Sequence, residues 1–285
     1  MNAVLKNAEM PVVGDQQLAQ PMLSVENVSV RFGGIVALDG VSFDVAQGQV
    51  FGLIGPNGAG KSTLFNCLSG LYRPSSGAIQ FNGAGLHKLR RHQMAQLGLG
   101  RTFQNLALFS QMTVRENVLV GTHGHHHVGF LRDAFRLPMA KRKEEEAQDR
   151  ADMLIDLLSL RDVKHRLVVD LPFGTQKRVE MARALACEPK LLLLDEPACG
   201  LNHSEMQELQ QMIGLVRDRF RLTVLLVEHH MALVMALTDR IVVLNFGRKI
   251  ADGTPEEIRH DARVIAAYLG AEEDEVEAIE AELGL

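Results

Sequence analysis

The sequence lacks several features that mark whole classes of protein. Its only cysteines, Cys67, Cys187 and Cys199, are an odd, scattered set without metal-type spacing, which favours reduced thiols in a cytosolic protein. The formal net charge of -5 gives no electrostatic footprint for general nucleic-acid binding. No apolar run approaches the roughly eighteen residues of a membrane span. The stretch from Met1 to Gln20 lacks a basic segment followed by an apolar core, so we expect a mobile tail rather than a secretory signal. Any membrane role must therefore come through a partner.

The chain does have material for a sizeable core, because 46% of its 285 residues are hydrophobic. That length suits one large α/β domain or two small ones. Apolar alternation and short apolar runs predict strands over residues 23–32, 41–45, 50–54, 78–81, 191–194 and 223–227, and a hairpin over 240–245 and 248–252. Helical periodicity predicts helices over 61–69, 140–160, 174–186, 204–219 and 262–269. Residues 87–122 show a mixed pattern, and residues 123–138 are predicted to be a loop-like insertion.

The strongest chemical signal is the run from Gly55 to Thr63, which matches the phosphate-loop pattern G-x-x-x-x-G-K-[ST]. Glycines let the backbone turn its N–H groups towards phosphate oxygens. Lys61 can reach the β- and γ-phosphates, the Ser62 hydroxyl can bind Mg²⁺, and the following helix points its dipole at the anion. The predicted nucleotide-binding residues here are Gly55, Pro56, Asn57, Gly58, Ala59, Gly60, Lys61, Ser62 and Thr63. The sequence therefore predicts binding of a nucleoside triphosphate.

A second motif places two acids directly after an apolar run. Residues 191–194 are four leucines, and Asp195 and Glu196 follow them at what we expect to be the carboxyl end of a core strand. Asp195 is predicted to hold Mg²⁺, directly or through water. Glu196, one residue further, is predicted to orient and deprotonate the attacking water.

With these motifs in this order, the chain from Leu23 to Leu269 resembles the ATP-binding subunits of ABC transporters. The resemblance implies an α/β fold: a P-loop NTPase core of the ABC ATPase type, with a mixed sheet and an antiparallel β subdomain, plus an α-helical signature subdomain at about 105–187. It implies an ATPase domain over residues 21–270, between a tail at 1–20 and an acidic tail at 271–285 that is predicted to be helical.

The resemblance also assigns roles to single residues. Phe32 matches the aromatic residue on which the family stacks adenine. Gln104 is similar to the family's glutamine that touches Mg²⁺ or the water and begins the segment facing the membrane partner. His229 is similar to the switch histidine that contacts the γ-phosphate. Catalytic roles are thus predicted for Glu196, His229 and Gln104, and Mg²⁺ contacts for Ser62, Gln104 and Asp195.

The signature segment departs from the family's usual L-S-G-G-Q. Pro172 stands in place of the serine, Phe173 in place of the first glycine and Thr175 in place of the glutamine, while Gly174 is kept. Pro172 supplies neither a hydroxyl nor an N–H. Through the resemblance, Phe173, Gly174 and Thr175 are predicted to cover the nucleotide of the opposite subunit, and Asn202 to lie in the loop that links the two sites.

This resemblance implies a mechanism and partners. ATP and Mg²⁺ are the predicted cofactors, and ATP closes a head-to-tail dimer of two ATPase subunits, identical or different, that hydrolysis releases. The dimer drives membrane permease subunits that receive solute from a solute-binding protein, at the cytoplasmic face of the inner membrane, with no nucleic acid involved. Similarity to the branched-chain amino acid subgroup (LivG-like) lies in four places: residues 32–35, the His-rich insertion, residues 195–202 and residues 267–270.

Several alternatives remain open from the sequence. A soluble ABC ATPase of DNA repair or translation usually carries two ATPase halves or a long coiled-coil insertion, and we find neither. A small-molecule kinase needs no signature helix or switch histidine. A nucleotide-binding regulator with a degraded site is supported only by the altered signature. The histidines at 123 and 125–127 are better interpreted as an exposed loop than as a zinc site, and the acidic tail as a solvated face rather than a docking segment.

Overall fold

The structure is a computed structural model that describes residues 20–89, 91–102, 106–122 and 138–269. Four subjects of the sequence analysis lie wholly or almost wholly outside these residues: the N-terminal tail, Gln104, the histidine run and the acidic C-terminal tail. Predictions about them stay predictions.

The described strands form two sheets. They are β1 (Leu23–Phe32), β2 (Ile35–Val45), β3 (Val50–Ile54), β4 (Ser76–Phe81), β5 (Ala84–Gly85), β6 (Leu99–Arg101), β7 (Leu191–Asp195), β8 (Thr223–Val227), β9 (Arg240–Asn245) and β10 (Arg248–Gly253). One sheet is antiparallel with the order β2-β1-β4-β5, and the other has the order β10-β9-β3-β8-β7-β6. In the larger sheet β9, β3, β8, β7 and β6 run parallel and β10 pairs antiparallel with β9. The predicted mixed sheet and antiparallel β subdomain are both present.

The described α-helices connect and flank these strands. They are α1 (Lys61–Leu68), α2 (Arg91–Gln96), α3 (Val114–Thr122), α4 (Pro138–Leu157), α5 (Phe173–Ala186), α6 (His203–Phe220), α7 (Met231–Leu237), α8 (Pro255–Arg259) and α9 (Ala262–Leu269). Helices α3, α4 and α5 pack on one another, which supports the predicted helical region. Among the described helices, none combines the length and the apolarity that crossing a lipid bilayer requires.

The parallel strands divide the core into two main parts because their successive side chains point to opposite faces. On one face, Phe51 and Leu193 pack with the antiparallel sheet and α1. On the other face, Val50 and Leu192 pack with the helical region and α6. Strands buried on both faces read as continuous apolar runs, which explains why residues 191–194 are all leucine. A third, smaller cluster surrounds Ile54 at the end of β3.

Strand order decides where the site lies. β3, β8 and β7 are neighbours and run parallel, so the loops after their carboxyl ends meet at one edge of the sheet. The loop after β3 is the predicted phosphate loop, the residue after β7 is Glu196, and the residues after β8 are Glu228 and His229.

The element boundaries correct the sequence analysis in several places. β2 begins at Ile35 rather than Val41, because its first residues pair with the end of β1 although they are exposed. β6 lies within the stretch that showed a mixed pattern, and its three residues carry too little periodicity to predict. α4 ends at Leu157 instead of residue 160, since Ser159 adopts the left-handed conformation (φ 56°). The helix over 262–269 and the hairpin around Phe246 and Gly247 are confirmed.

Candidate functional site

The phosphate loop joins the end of β3 to the start of α1. Gly60 takes the N-cap position of α1 with a φ of 99°, and a Cβ there would lie 2.7 Å from the Ala37 oxygen. Only glycine therefore suits this position. The Lys61 ammonium donates to the Gly55 carbonyl at 2.6 Å and to the Pro56 carbonyl at 2.9 Å. The loop thus wraps around the Lys61 ammonium, which lies at the positive, N-terminal end of the α1 dipole.

Burial makes Lys61 an unusual lysine. Desolvation lowers its pKa below the ordinary value, and the negative charge of Glu196 acts in the opposite direction. Because a buried ammonium has lost hydration, a phosphate anion that binds beside it stabilises its charged form. Ser62 lies next to Lys61 in the first turn of α1 and is exposed.

Asp195 ends β7 and forms a buried ion pair that the motif analysis did not predict. The Arg101 guanidinium donates to the Asp195 carboxylate at 3.0 Å. The same guanidinium donates to Asn66 at 3.1 Å and to the Ser69 hydroxyl, both at the end of α1, and lies 4.6 Å from the centre of the Phe65 ring. Arg101 therefore ties β6 and β7 to the helix that follows the phosphate loop.

The environment of Asp195 works in two directions. Burial raises its pKa above the ordinary value, the Arg101 charge and hydrogen bond act against this, and Glu196 adds to it. Asp195 and Ser62 together offer a carboxylate and a hydroxyl oxygen at the phosphate loop. This donor set fits Mg²⁺, which prefers oxygen ligands and is usually held by one or two carboxylates with substrate phosphates.

Glu196 and His229 come together from neighbouring strands. The Glu196 N–H donates to the Val227 carbonyl at 2.9 Å, and Glu196 adopts a left-handed conformation with a φ of 45°. His229 Nδ1 lies 4.0 Å from a carboxylate oxygen of Glu196, and the His229 side chain is 48% exposed. The two predicted catalytic side chains are thus adjacent, and the imidazole remains accessible.

A third acid, Glu228, holds this arrangement in place. Its fully buried carboxylate accepts from the Ala198 N–H at 2.8 Å and from the backbone N–H groups of His229 at 3.0 Å and His230 at 3.3 Å. His230 Nδ1 lies 3.2 Å from the same carboxylate. The sequence analysis predicts no role for Glu228. The available signal is an acid directly after the apolar run 224–227, because a buried carboxylate needs hydrogen-bond partners.

Phe32 lies apart from these acids, as the last residue of β1. The residue is 46% exposed, and its ring meets that of Tyr72 edge-on, with 5.3 Å between ring centres. An exposed aromatic face at a strand end suits stacking of a planar base.

The signature segment begins α5. Pro172 occupies the N-cap position and its carbonyl accepts from the Gln176 N–H at 3.0 Å. The Phe173 side chain is 42% exposed, and its ring lies so close to Gly200 that a Cβ there would be 3.1 Å from it. Gly174 faces Glu205 in the same way, with 2.8 Å between an added Cβ and a carboxylate oxygen. The predicted nucleotide-covering residues therefore rest on the loop and helix that follow Glu196.

Asn202 has a local role that the resemblance did not predict. It is the N-cap of α6: its side-chain oxygen accepts from the Glu205 N–H at 3.0 Å, and the Glu205 carboxylate accepts from the Asn202 N–H at 2.9 Å. This reciprocal capping box fixes the start of α6. A contact of Asn202 across a dimer stays a prediction.

Comparison with known proteins gives consistent results. Residues 38–199 match the profile of the ABC transporter family, and residues 248–274 match that of the branched-chain amino acid ATP-binding cassette transporter family. The chain is 45% identical to the high-affinity branched-chain amino acid transport ATP-binding protein BraF of Pseudomonas aeruginosa, over 89% of this chain and 99% of BraF. It is 43% identical to the corresponding protein LivG of Escherichia coli K12, with the same coverage.

A solved structure agrees with these relatives. The ADP conformation of MJ1267, an ATP-binding cassette of an ABC transporter, is similar with a TM-score of 0.77 and 30% sequence identity, over 88% of this chain and all of that one. The predicted fold class and the predicted resemblance are thereby confirmed.

Proposed function

Because the chain belongs to the ATP-binding proteins of the ABC transporter family, we propose that it is the ATP-hydrolysing subunit of an importer for branched-chain amino acids or related small amides. One observation carries the chemistry: the Glu196 carboxylate lies 4.0 Å from His229, and its negative charge partly opposes the lowering of the Lys61 pKa by burial. A phosphate-binding lysine, a general base and a histidine thus lie at the same edge of the sheet. The named relatives are transport proteins, which favours this proposal over a soluble ATPase of repair or translation.

Each residue has a proposed task in phosphoryl transfer to water. Lys61 and the loop N–H groups bind the β- and γ-phosphates, and Phe32 stacks on the adenine. Glu196 orients the water and accepts its proton, and His229 contacts the γ-phosphate. Ser62, Asp195 and Gln104 would hold Mg²⁺, which would supply neutralisation of the phosphate charge.

The second half of each site is proposed to come from another ATPase subunit. Phe173, Gly174 and Thr175 at the start of α5 cover the partner's γ-phosphate, and Asn202 lies in the linking loop. Since Pro172 supplies no hydroxyl, the helix dipole and the backbone N–H groups must do this work. The dimer acts on membrane permeases, and through them on a solute-binding protein, from the cytoplasmic face of the membrane.

The replacement Glu196→Gln tests this proposal. It keeps the shape of the side chain but removes the base, so we expect ATP turnover to fall by about a hundredfold or more while nucleotide binding persists. Light scattering with Mg-ATP should then detect accumulated dimers, in the presence of the cognate permeases if they are required. Glu256→Gln changes an exposed acid on α8 and serves as the matched control with unchanged turnover.

Two results would contradict the proposal. Equal turnover of Glu196→Gln and the unchanged protein would remove Glu196 from the mechanism. Lone subunits under saturating Mg-ATP, even beside the permeases, would remove the dimer. The class of solute is a separate question. Vesicles that contain the complete transporter can be tested for uptake of leucine and, in a parallel assay, of urea.

A further inference from the structure

The last described helix reaches back to the first residue of the phosphate loop. The Gly55 N–H donates a hydrogen bond of 2.9 Å to the hydroxyl oxygen of Tyr268, across 213 positions of sequence. Although 40% of Tyr268 is exposed, desolvation of its partly buried side chain raises its pKa above the ordinary value, and the bond from Gly55 acts against this. The hydroxyl is therefore neutral at physiological pH and remains a stable acceptor.

Gly55 is a position where small displacements matter. Its φ is 146°, and a Cβ there would collide with the Leu244 carbonyl, so its backbone lies directly against β9. Its own carbonyl accepts from Lys61 Nζ at 2.6 Å. Gly55 therefore contacts both groups: its N–H donates to the Tyr268 hydroxyl and its carbonyl accepts from Lys61. A displacement of the hydroxyl is passed to the ammonium through this one residue.

Helix α9 is itself firmly placed. The Asp261 side chain accepts from the backbone N–H groups of Arg263 at 2.9 Å and Val264 at 3.3 Å, which fixes the start of the helix. Val264 packs in the apolar cluster of Ile54 and Val234. Ile54 immediately precedes the phosphate loop, and Val234 lies on α7, which follows the switch histidine. Tyr268 is thus presented by an element that already packs against both halves of the site.

We propose that Tyr268 is a positioning residue of the nucleotide site, which fixes the start of the phosphate loop by accepting from Gly55 and thereby fixes where Lys61 meets the phosphates. This inference rests on the proposed ATPase function. The contact is made to the loop backbone and not to reacting atoms. Its loss should weaken nucleotide binding much more than it slows the chemical step.

The first test removes only the hydroxyl. Tyr268→Phe should raise the KM for ATP and the dissociation constant for ADP by about five- to tenfold, with kcat changed less than twofold, since a buried N–H loses its acceptor. Leu269→Ala alters the exposed neighbour on the same helix and should leave both parameters unchanged. A Tyr268→Phe protein that melts earlier yet keeps its KM and ADP affinity would overturn the proposal, because the hydroxyl would then be merely structural.

The second test uses the fact that the chain contains only two tyrosines. Labelling with 3-fluorotyrosine gives two ¹⁹F resonances, which the Tyr72→Phe protein assigns. Magnesium tripolyphosphate, which has no adenine, should shift the Tyr268 resonance and leave that of Tyr72 in place. ATP should shift both, because the Tyr72 ring packs against Phe32.

The outcomes separate the two proposals. If ATP shifts Tyr72 alone and turnover is normal, the positioning role is wrong and the ATPase function stands. If neither probe shifts a resonance and no turnover is measured, the proposed function fails and the inference fails with it.

Discussion

The phosphate loop and the signature segment are both turns that lead into a helix, but they are held differently. The phosphate loop is held mainly through its backbone atoms: two of its carbonyls accept from Lys61, Gly60 lies directly against the Ala37 carbonyl, and the Gly55 N–H donates to Tyr268. The signature rests on side chains, with Phe173 against Gly200. In the described part of the chain the Lys177 ammonium has no hydrogen-bond partner; Glu180 lies 3.7 Å away and the Phe173 ring centre 5.6 Å away. One segment is held by hydrogen bonds and close backbone contacts, while the other is held by side-chain packing and contains a buried cation without a hydrogen bond among the described residues.

The sharpest way to break this comparison is to add one methyl group to each segment. Gly55→Ala places a Cβ against the Leu244 carbonyl at a φ that favours glycine, so we expect a loss of at least about 3 kcal/mol in unfolding free energy. Gly174→Ala meets only the end of the Glu205 side chain, and alanine is the better helix former. Its cost should stay below about 1 kcal/mol.

Urea unfolding of both proteins measures the difference. A Gly174→Ala protein as unstable as Gly55→Ala would show that the signature turn is as rigid as the phosphate loop, and the distinction between them would be lost.

A smaller effect is expected at buried charges. Arg101→Met leaves the Asp195 carboxylate buried without its cation, which should cost about 3 kcal/mol at pH 7.5. Without Arg101 the pKa of Asp195 rises further, so the folded variant takes up a proton at higher pH than the unchanged protein does. The deficit should therefore shrink as the pH falls to 5.5.

The matched control lies in the helical region. Arg115 pairs with Asp152 at 3.0 Å, but the Asp152 side chain is 44% exposed, so Arg115→Met should cost less than about 1 kcal/mol. Equal losses in the two variants would mean that burial of the Arg101 pair has no energetic consequence.

The sequence predicted what depends on local pattern. The phosphate loop, Asp195 and Glu196 are recognised from motifs at the ends of apolar runs, whereas His229 is predicted only through the resemblance. The order of the parallel strands then brings these segments to one edge of the sheet. Contacts between distant parts of the chain left no pattern to recognise. Three residues have partners that only the folded chain places beside them. Arg101 donates to Asp195, Glu228 accepts from Ala198, and Tyr268 accepts from Gly55.

Two further features depend on a single local or pairing contact that the sequence does not show. The resemblance predicts a dimer role for Asn202, which stays a prediction. What it does not indicate is the local role: the side-chain amide oxygen of Asn202 caps the N-terminus of α6, where asparagine is a favoured residue. β6 escaped prediction since a three-residue strand is defined by pairing with β7 and not by its own periodicity.

The smallest expected effect concerns thiols and leaves the fold intact. Cys67 on α1 is buried, and burial raises its pKa to about 11. Roughly one molecule in a thousand then carries the thiolate at pH 8. Cys199, in the loop beside the signature, is exposed. Iodoacetamide at pH 8 should modify Cys199 rapidly and Cys67 at least about a hundredfold more slowly, as followed by peptide mass spectrometry. Similar rates would show that the phosphate-loop side opens as readily as the signature side.

The buried Glu228 carboxylate has a consequence for anyone who recombines these proteins. It is shared by Ala198 on one loop and by His229 and His230 on the next, so neither loop has a complete set of partners by itself. Because these three donors are backbone N–H groups, a chimaera that exchanges residues 195–202 with a relative keeps the donor at position 198 unless the relative has proline there. The part that cannot be exchanged is the carboxylate at position 228, so crossovers between the two segments should be tolerated as long as this glutamate is kept.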